Sequence, residues 1–128
     1  MRDKMHLYQG TIASKIDFAG VGLHSGKLVE MSVLPAPQDY GIWFQRTDIK
    51  NNSAIKACPE NVVPTPLCTT IGNQFGINIS TIEHLMGALC GEGIDNLLIE
   101  VDSGELPIMD GSAKEFIYKI KKIGIKNY

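Results

Sequence analysis

No stretch of this sequence approaches the run of about 18 apolar residues that a membrane-spanning helix needs. The opening residues, MRDKMHLYQG, lack the apolar centre of a secretory leader, so the chain is expected in the cytoplasm. Cysteine is sparse. Cys58, Cys68 and Cys90 are an odd set without CxxC spacing, which argues against a disulfide framework or a zinc knuckle and for free thiols in a reducing compartment. Neither sign of charge dominates, and a net charge of -2 gives no bulk attraction to nucleic acid or to an anionic membrane. The lysines of KEFIYKIKKIGIKNY read as one solvated helix face. What is present, 44% hydrophobic and 20% charged residues in a chain of 128, describes an ordinary soluble protein forming one domain over 1–128.

The first half carries strand patterns. KLVEMSVLPA alternates, with Val29, Met31 and Val33 on one face and Glu30 and Ser32 on the other, until Pro35 and Pro37 stop it. QDYG turns the chain, and GIWFQR reads as the returning strand of an antiparallel pair. The polar stretch 48–66 reads as loop with one short strand near NSAIKA, and CTTIG and GINI read as two more short strands. Two amphipathic helices follow. One has Ile82, Leu85, Met86 and Leu89 on a stripe and ends near Gly91 and Gly93; the other has Phe116, Ile117, Ile120 and Ile123 and stops at Gly124. Each is preceded by a capping-box pattern, Ser80-x-x-Glu83 and Ser112-x-x-Glu115. DNLLIEV, between them, has the continuous apolar core of a central strand. The order predicts an α+β fold, a mainly antiparallel sheet with both helices packed on one face.

The candidate chemistry is thin when taken residue by residue. Glu83 and His84 stand side by side at a helix start, where a glutamate serves equally as a capping partner or a general base. His84 sits at the margin of the apolar stripe, the place of a tolerated boundary histidine or of a metal ligand. HExxH is absent, because position 88 is alanine. GVGLHSGK misses the dinucleotide-binding glycine spacing and leads into a strand, so it reads as a tight turn with His24 at its tip, exposed or facing a site. PIMDGSA, with Asp110, reads as a strand-to-helix turn. One imidazole does not make a catalytic zinc site, which takes about three protein ligands and an open position.

Four motifs in order shift the balance: GVGLHSGK, CTTIG, ISTIEHLMGAL followed by GIDNLLIEV, and PIMDGSA. Together, from about Gly10 to the end, they resemble the zinc-dependent UDP-3-O-acyl-N-acetylglucosamine deacetylases of lipid A (lipopolysaccharide) biosynthesis in Gram-negative bacteria. The resemblance implies one half of a two-domain sandwich, in which each domain is a sheet with two helices, the helices lie between the sheets and the active site lies in the cleft. It implies that His84 is a zinc ligand, that Glu83 is the general base, that Leu67 and Cys68 line the substrate cleft, and that His24 and Asp110 border the site. It also implies that the remaining two of three zinc ligands, the histidine and aspartate of an HKxxD motif, belong to a second domain, with the general-acid histidine, a lysine near the substrate and the acyl passage. None of these is in this sequence.

The resemblance therefore implies a partner, the second deacetylase domain, and a substrate, UDP-3-O-acyl-N-acetylglucosamine. The chain alone is expected to be inactive and to hold zinc poorly. A stand-alone binding or assembly domain is the alternative. Small residues Gly87, Ala88 and Cys90 outside the inner stripe suit close helix approach. The outer helical faces are expected to be apolar, and a homodimer through them is expected in isolation.

Overall fold

A computed structural model describes residues 8–128; His6 lies outside the described residues. Ten strands and two helices follow in the order β1 (Gly10–Ile12), β2 (Ile16–Val21), β3 (Leu28–Pro35), β4 (Ile42–Arg46), β5 (Ala54–Lys56), β6 (Val62–Val63), β7 (Thr70–Gly72), β8 (Asn78–Ser80), α1 (Glu83–Glu92), β9 (Leu97–Val101), α2 (Lys114–Ile123) and β10 (Ile125–Asn127). The main sheet has five strands in the order β2-β3-β9-β4-β5, antiparallel except where β4 runs parallel to β9. A small sheet, β6-β7-β8, and a pair, β1-β10, complete the α+β fold.

Register explains the core. Ile16 stands opposite Val33, Val33 opposite Ile99, Ile99 opposite Phe44, and Phe44 opposite Ile55, a continuous apolar row across all five strands. Because side chains alternate along a strand, Val29, Met31 and Val33 share the buried face while Glu30 and Ser32 point away. Leu85, Ala88 and Leu89 of α1 and Phe116 and Ile120 of α2 join the same apolar cluster, and the two helices lie against each other. Phe18 of β2 meets Phe116 edge-on with ring centroids 5.1 Å apart, and Lys119 Nζ sits 4.8 Å from the Phe18 centroid.

β9 is central, as its pattern requires. GIWFQR does form a strand, β4, but it is not the hairpin partner of β3: β9 lies between them. The link from β3 to β4 is long enough to step over one strand position, about 10 Å, and the most continuously apolar strand takes the centre, bonded along both edges. Asn96 fixes where β9 begins. Its Oδ1 accepts the Gly41 N–H at 2.8 Å and its Nδ2 donates to Gln9 Oε1 at 2.7 Å, which satisfies a buried amide. The stretch 48–66 holds β5 as read, and also β6. Helix ends fall where the glycines predict. Gly93 turns left-handed with φ 73°, letting the Ile94 N–H close on the Leu89 carbonyl at 2.9 Å, and α2 stops at Gly124.

Three further expectations fail. Neither capping box forms: α1 is capped at Ile82 and α2 at Ala113, without a side-chain cap bond at either. Ala88 is buried in the core, so only Gly87, Cys90 and Gly91 form the exposed small-residue side of α1. The outer face of α2 is not apolar, since Lys114, Tyr118, Lys121 and Lys122 are exposed there. The lysine-rich end is a solvated face, as its composition suggests. No helix among the described residues is long and apolar enough to cross a membrane.

Candidate functional site

The site grows from a strained turn. After β8, Thr81 adopts φ 61°, a left-handed conformation that costs a β-branched residue about 1–3 kcal/mol. The bend moves Ser80 away from the helix end. Its N–H donates to the Gly104 carbonyl at 2.9 Å and its hydroxyl to the same oxygen at 3.3 Å. α1 therefore starts at Glu83, and the Glu83 carboxylate does not reach back to Ser80. Instead Glu83 Oε1 accepts the backbone N–H of Thr69 at 3.1 Å, while the Thr69 carbonyl accepts the Ile82 N–H at 3.3 Å. One residue on the loop before β7, Thr69, is thus stitched twice to the start of α1.

This stitching brings predicted residues together. Glu83 and His84 are both half-buried, and successive side chains on a helix project about 100° apart. Leu67 and Cys68 arrive on the loop that Thr69 closes. Leu67 is 90% exposed, the largest value among the exposed apolar residues, and Cys68 is half-buried. Burial pushes the Cys68 thiol up, but the Thr70 and Thr65 hydroxyls beside the sulfur, at 3.8 and 3.9 Å, help draw it below the ordinary thiol range. Thr81 Oγ1 lies near enough to pull the same way yet closes no hydrogen bond; it is the buried side-chain polar atom without a partner among the described residues.

His24 is exposed, on a turn of its own. GVGLHSGK forms the tight turn between β2 and β3, and His24 lines a cavity of about 380 Å³ with Ser25, Ser80, Ser103, Gly104 and Glu105. Asp110 stays within its own turn. Its Oδ1 accepts the Ser112 N–H at 3.0 Å and the Ser112 hydroxyl at 2.9 Å, and the Ser112 oxygen accepts the Lys114 N–H at 3.2 Å. Those Ser112 bonds, with backbone and Lys114 help, hold the Asp110 carboxyl below its usual range.

Sequence reasoning did not single out Thr69, Thr81 or Glu105. A backbone donor and a left-handed threonine carry no composition signal. Glu105 carried one: it is the sole acid in ELPIM, and it lies 5% exposed. Among the described residues no three His, Cys, Asp or Glu side chains converge into a metal cage. Glu83 and His84 set one carboxylate and one imidazole on successive residues.

Comparison with known proteins agrees with the motifs. The family model described as UDP-3-O-acyl N-acetylglycosamine deacetylase matches residues 9–128. A UDP-3-O-acyl-N-acetylglucosamine deacetylase of Colwellia psychrerythraea is 48% identical over 118 residues, 92% of this chain and 39% of the relative. Those of Shewanella baltica strain OS155 and Pseudoalteromonas atlantica are each 50% identical, covering 94% and 92% of this chain and 39% of each relative. The chain thus spans about two fifths of the length of these relatives. By this match it belongs to the UDP-3-O-acyl N-acetylglycosamine deacetylase family.

Proposed function

We propose that this chain supplies one half of the active site of a zinc-dependent hydrolase that removes the N-acetyl group from UDP-3-O-acyl-N-acetylglucosamine in lipid A biosynthesis, the other half coming from a second domain. The observation that carries this reading is the pair at the start of α1. The Thr69 N–H holds Glu83 Oε1, which fixes the carboxylate beside a half-buried imidazole on the next residue. A carboxylate anchored through one oxygen presents the other to the reaction without losing its orientation.

Amide hydrolysis breaks the C–N bond, forms a C–O bond from water to the acetyl carbon, and returns a proton to the departing amine. Glu83 serves as general base and takes the proton from the attacking water on Oε2. His84 contributes one ring nitrogen to the metal. Bound zinc supplies Lewis-acid polarisation of the carbonyl and lowers the pKa of water to about 7. The proton donor to the amine and the other two metal ligands are assigned to the second domain. Leu67 gives the cleft an apolar lip and Cys68 a polarised wall.

The test is complementation. The chain is mixed with a separately prepared second domain of a relative, and zinc uptake and acetate release are followed together. Deacetylation in the mixture alone, reduced at least about a hundredfold by Glu83→Gln, is the expected result. Turnover that survives Glu83→Gln would remove Glu83 as the base. Assembly without turnover would favour the binding-domain alternative.

A further inference from the structure

The GVGLHSGK turn is built around an acid from elsewhere in the chain. The Gly22 N–H donates to the Lys27 carbonyl and the Gly26 N–H to the Gly22 carbonyl, both at 2.9 Å, with Gly26 at φ 69°. Closed in this way, the turn aims two successive amides inward. Ser25 N–H donates to Glu105 Oε1 at 2.8 Å and His24 N–H to Glu105 Oε2 at 3.2 Å. Consecutive amides around an anion form a nest, here filled by the protein's own carboxylate. Burial raises the Glu105 carboxyl, but the Ser25 hydroxyl, the Ser25 and His24 amides and the charge of the His24 imidazole bring it below the usual range. His24 and the carboxylate that its backbone binds line the same cavity. Gly22 is required for space: a Cβ there would stand 2.2 Å from Glu105 Oε1.

The backbone around Glu105 holds a second element. Ser80 and Glu105 form a parallel bridge, with the Ser80 N–H on the Gly104 carbonyl at 2.9 Å and the Leu106 N–H on the Ser80 carbonyl at 3.2 Å. Ser80 lies three residues before Glu83. One residue thus joins the His24 turn by its side chain and the strand entering Glu83–His84 by its backbone.

We infer that Glu105 is a positioning residue that locks the His24 turn against β8, so that His24 works on the same bound substrate as Glu83 and His84. This rests on the reading under Proposed function. It accounts for a histidine motif that the general-base and metal-ligand roles do not use.

The test has two arms. In the chain itself, NMR-detected hydrogen exchange reads the His24 and Ser25 amides. Glu105→Gln, which keeps the shape and loses the charge, is expected to speed exchange at both by at least about tenfold while distant strands hold, because hydrogen bonds to a charged acceptor are roughly twice as strong. Unchanged exchange would overturn the inference. In the complemented two-domain assembly, Glu105→Gln, His24→Ala and the double variant are compared. Each single variant should lower kcat/KM by about tenfold or more, and the double should be no worse than His24→Ala alone. Multiplying effects would overturn a role through His24, as would full activity in Glu105→Gln. A parent assembly without deacetylase activity would sink the functional reading and with it a shared substrate, whereas the exchange arm still shows whether Glu105 holds the turn.

Discussion

Gly22→Ala is the sharpest structural perturbation available on this chain. Gly22 does not have a left-handed φ, so alanine meets no backbone penalty and the cost is purely one of space. The new methyl would stand 2.2 Å from Glu105 Oε1, 2.6 Å from its Cδ and 2.8 Å from Ser25 Oγ, all below any tolerable contact. The backbone at Gly22 is tied to Lys27 and Gly26 and bridged to Pro107, so the carboxylate must give way first. Each of its two amide bonds contributes about 1.5–3 kcal/mol as a hydrogen bond to a charged group. Water reaches the open turn and recovers part of this, which leaves a loss of about 2–4 kcal/mol. In urea, with m of about 2 kcal/mol/M, the midpoint should fall by about 1–2 M at constant m. Gly26→Ala is the control. Gly26 has φ 69° and nothing within 4 Å of a Cβ, so only backbone strain of about 1–2 kcal/mol applies. In a Glu105→Ala background the clash is gone, and Gly22→Ala should become mild. If Gly22→Ala costs no more than Gly26→Ala, or the same with and without Glu105, the turn is not built around that carboxylate.

Further outcomes follow from the same geometry. Because the folded Glu105 carboxyl titrates below its ordinary value of about 4.3, its stabilisation is complete above that pH and is lost as pH falls through the lower folded value. Thermal melts from neutral pH into acid should show wild type falling toward Glu105→Gln. A gap that stays constant into acid would contradict this. Ile99→Ala removes the centre of the five-strand row and should cost about 2–5 kcal/mol in urea, whereas a loss below about 1 kcal/mol would mean the row can collapse onto the gap. Gly87→Ala, with nothing within 4 Å of its Cβ, should stabilise the isolated chain by up to about 1 kcal/mol. It should also weaken complementation by the second domain, and unimpaired assembly would show that this side of α1 is not the contact.

The fold was legible where one side chain per position decides burial. Val29, Met31 and Val33 report a face, DNLLIEV reports a centre, and Gly93 and Gly124 report helix ends, because each signal is local. Pairing was less legible, since β3 and β4 are neighbours in sequence and separated in space. Nothing local to GIWFQR says that a strand some fifty residues later will lie between them and run parallel to it. β1, β6 and β10 were missed because short strands bonded to short strands have almost no periodicity to read.

Ser80-x-x-Glu83 shows where local reading of the site stops. The pattern has correct capping chemistry, and in a straight entry to a helix the glutamate would close on the serine amide. Here the left-handed Thr81 intervenes, Ser80 bonds to Gly104, and the carboxylate turns to Thr69. The strain at Thr81 is a cost of about 1–3 kcal/mol that an ordinary cap would not incur. The chain accepts it and gains a glutamate bound to a loop instead of to its own helix end. A capping glutamate has its carboxylate committed locally, while one held by a single loop amide keeps an oxygen in reserve. The departure from the local rule therefore falls at the residue pair on which the proposed chemistry depends.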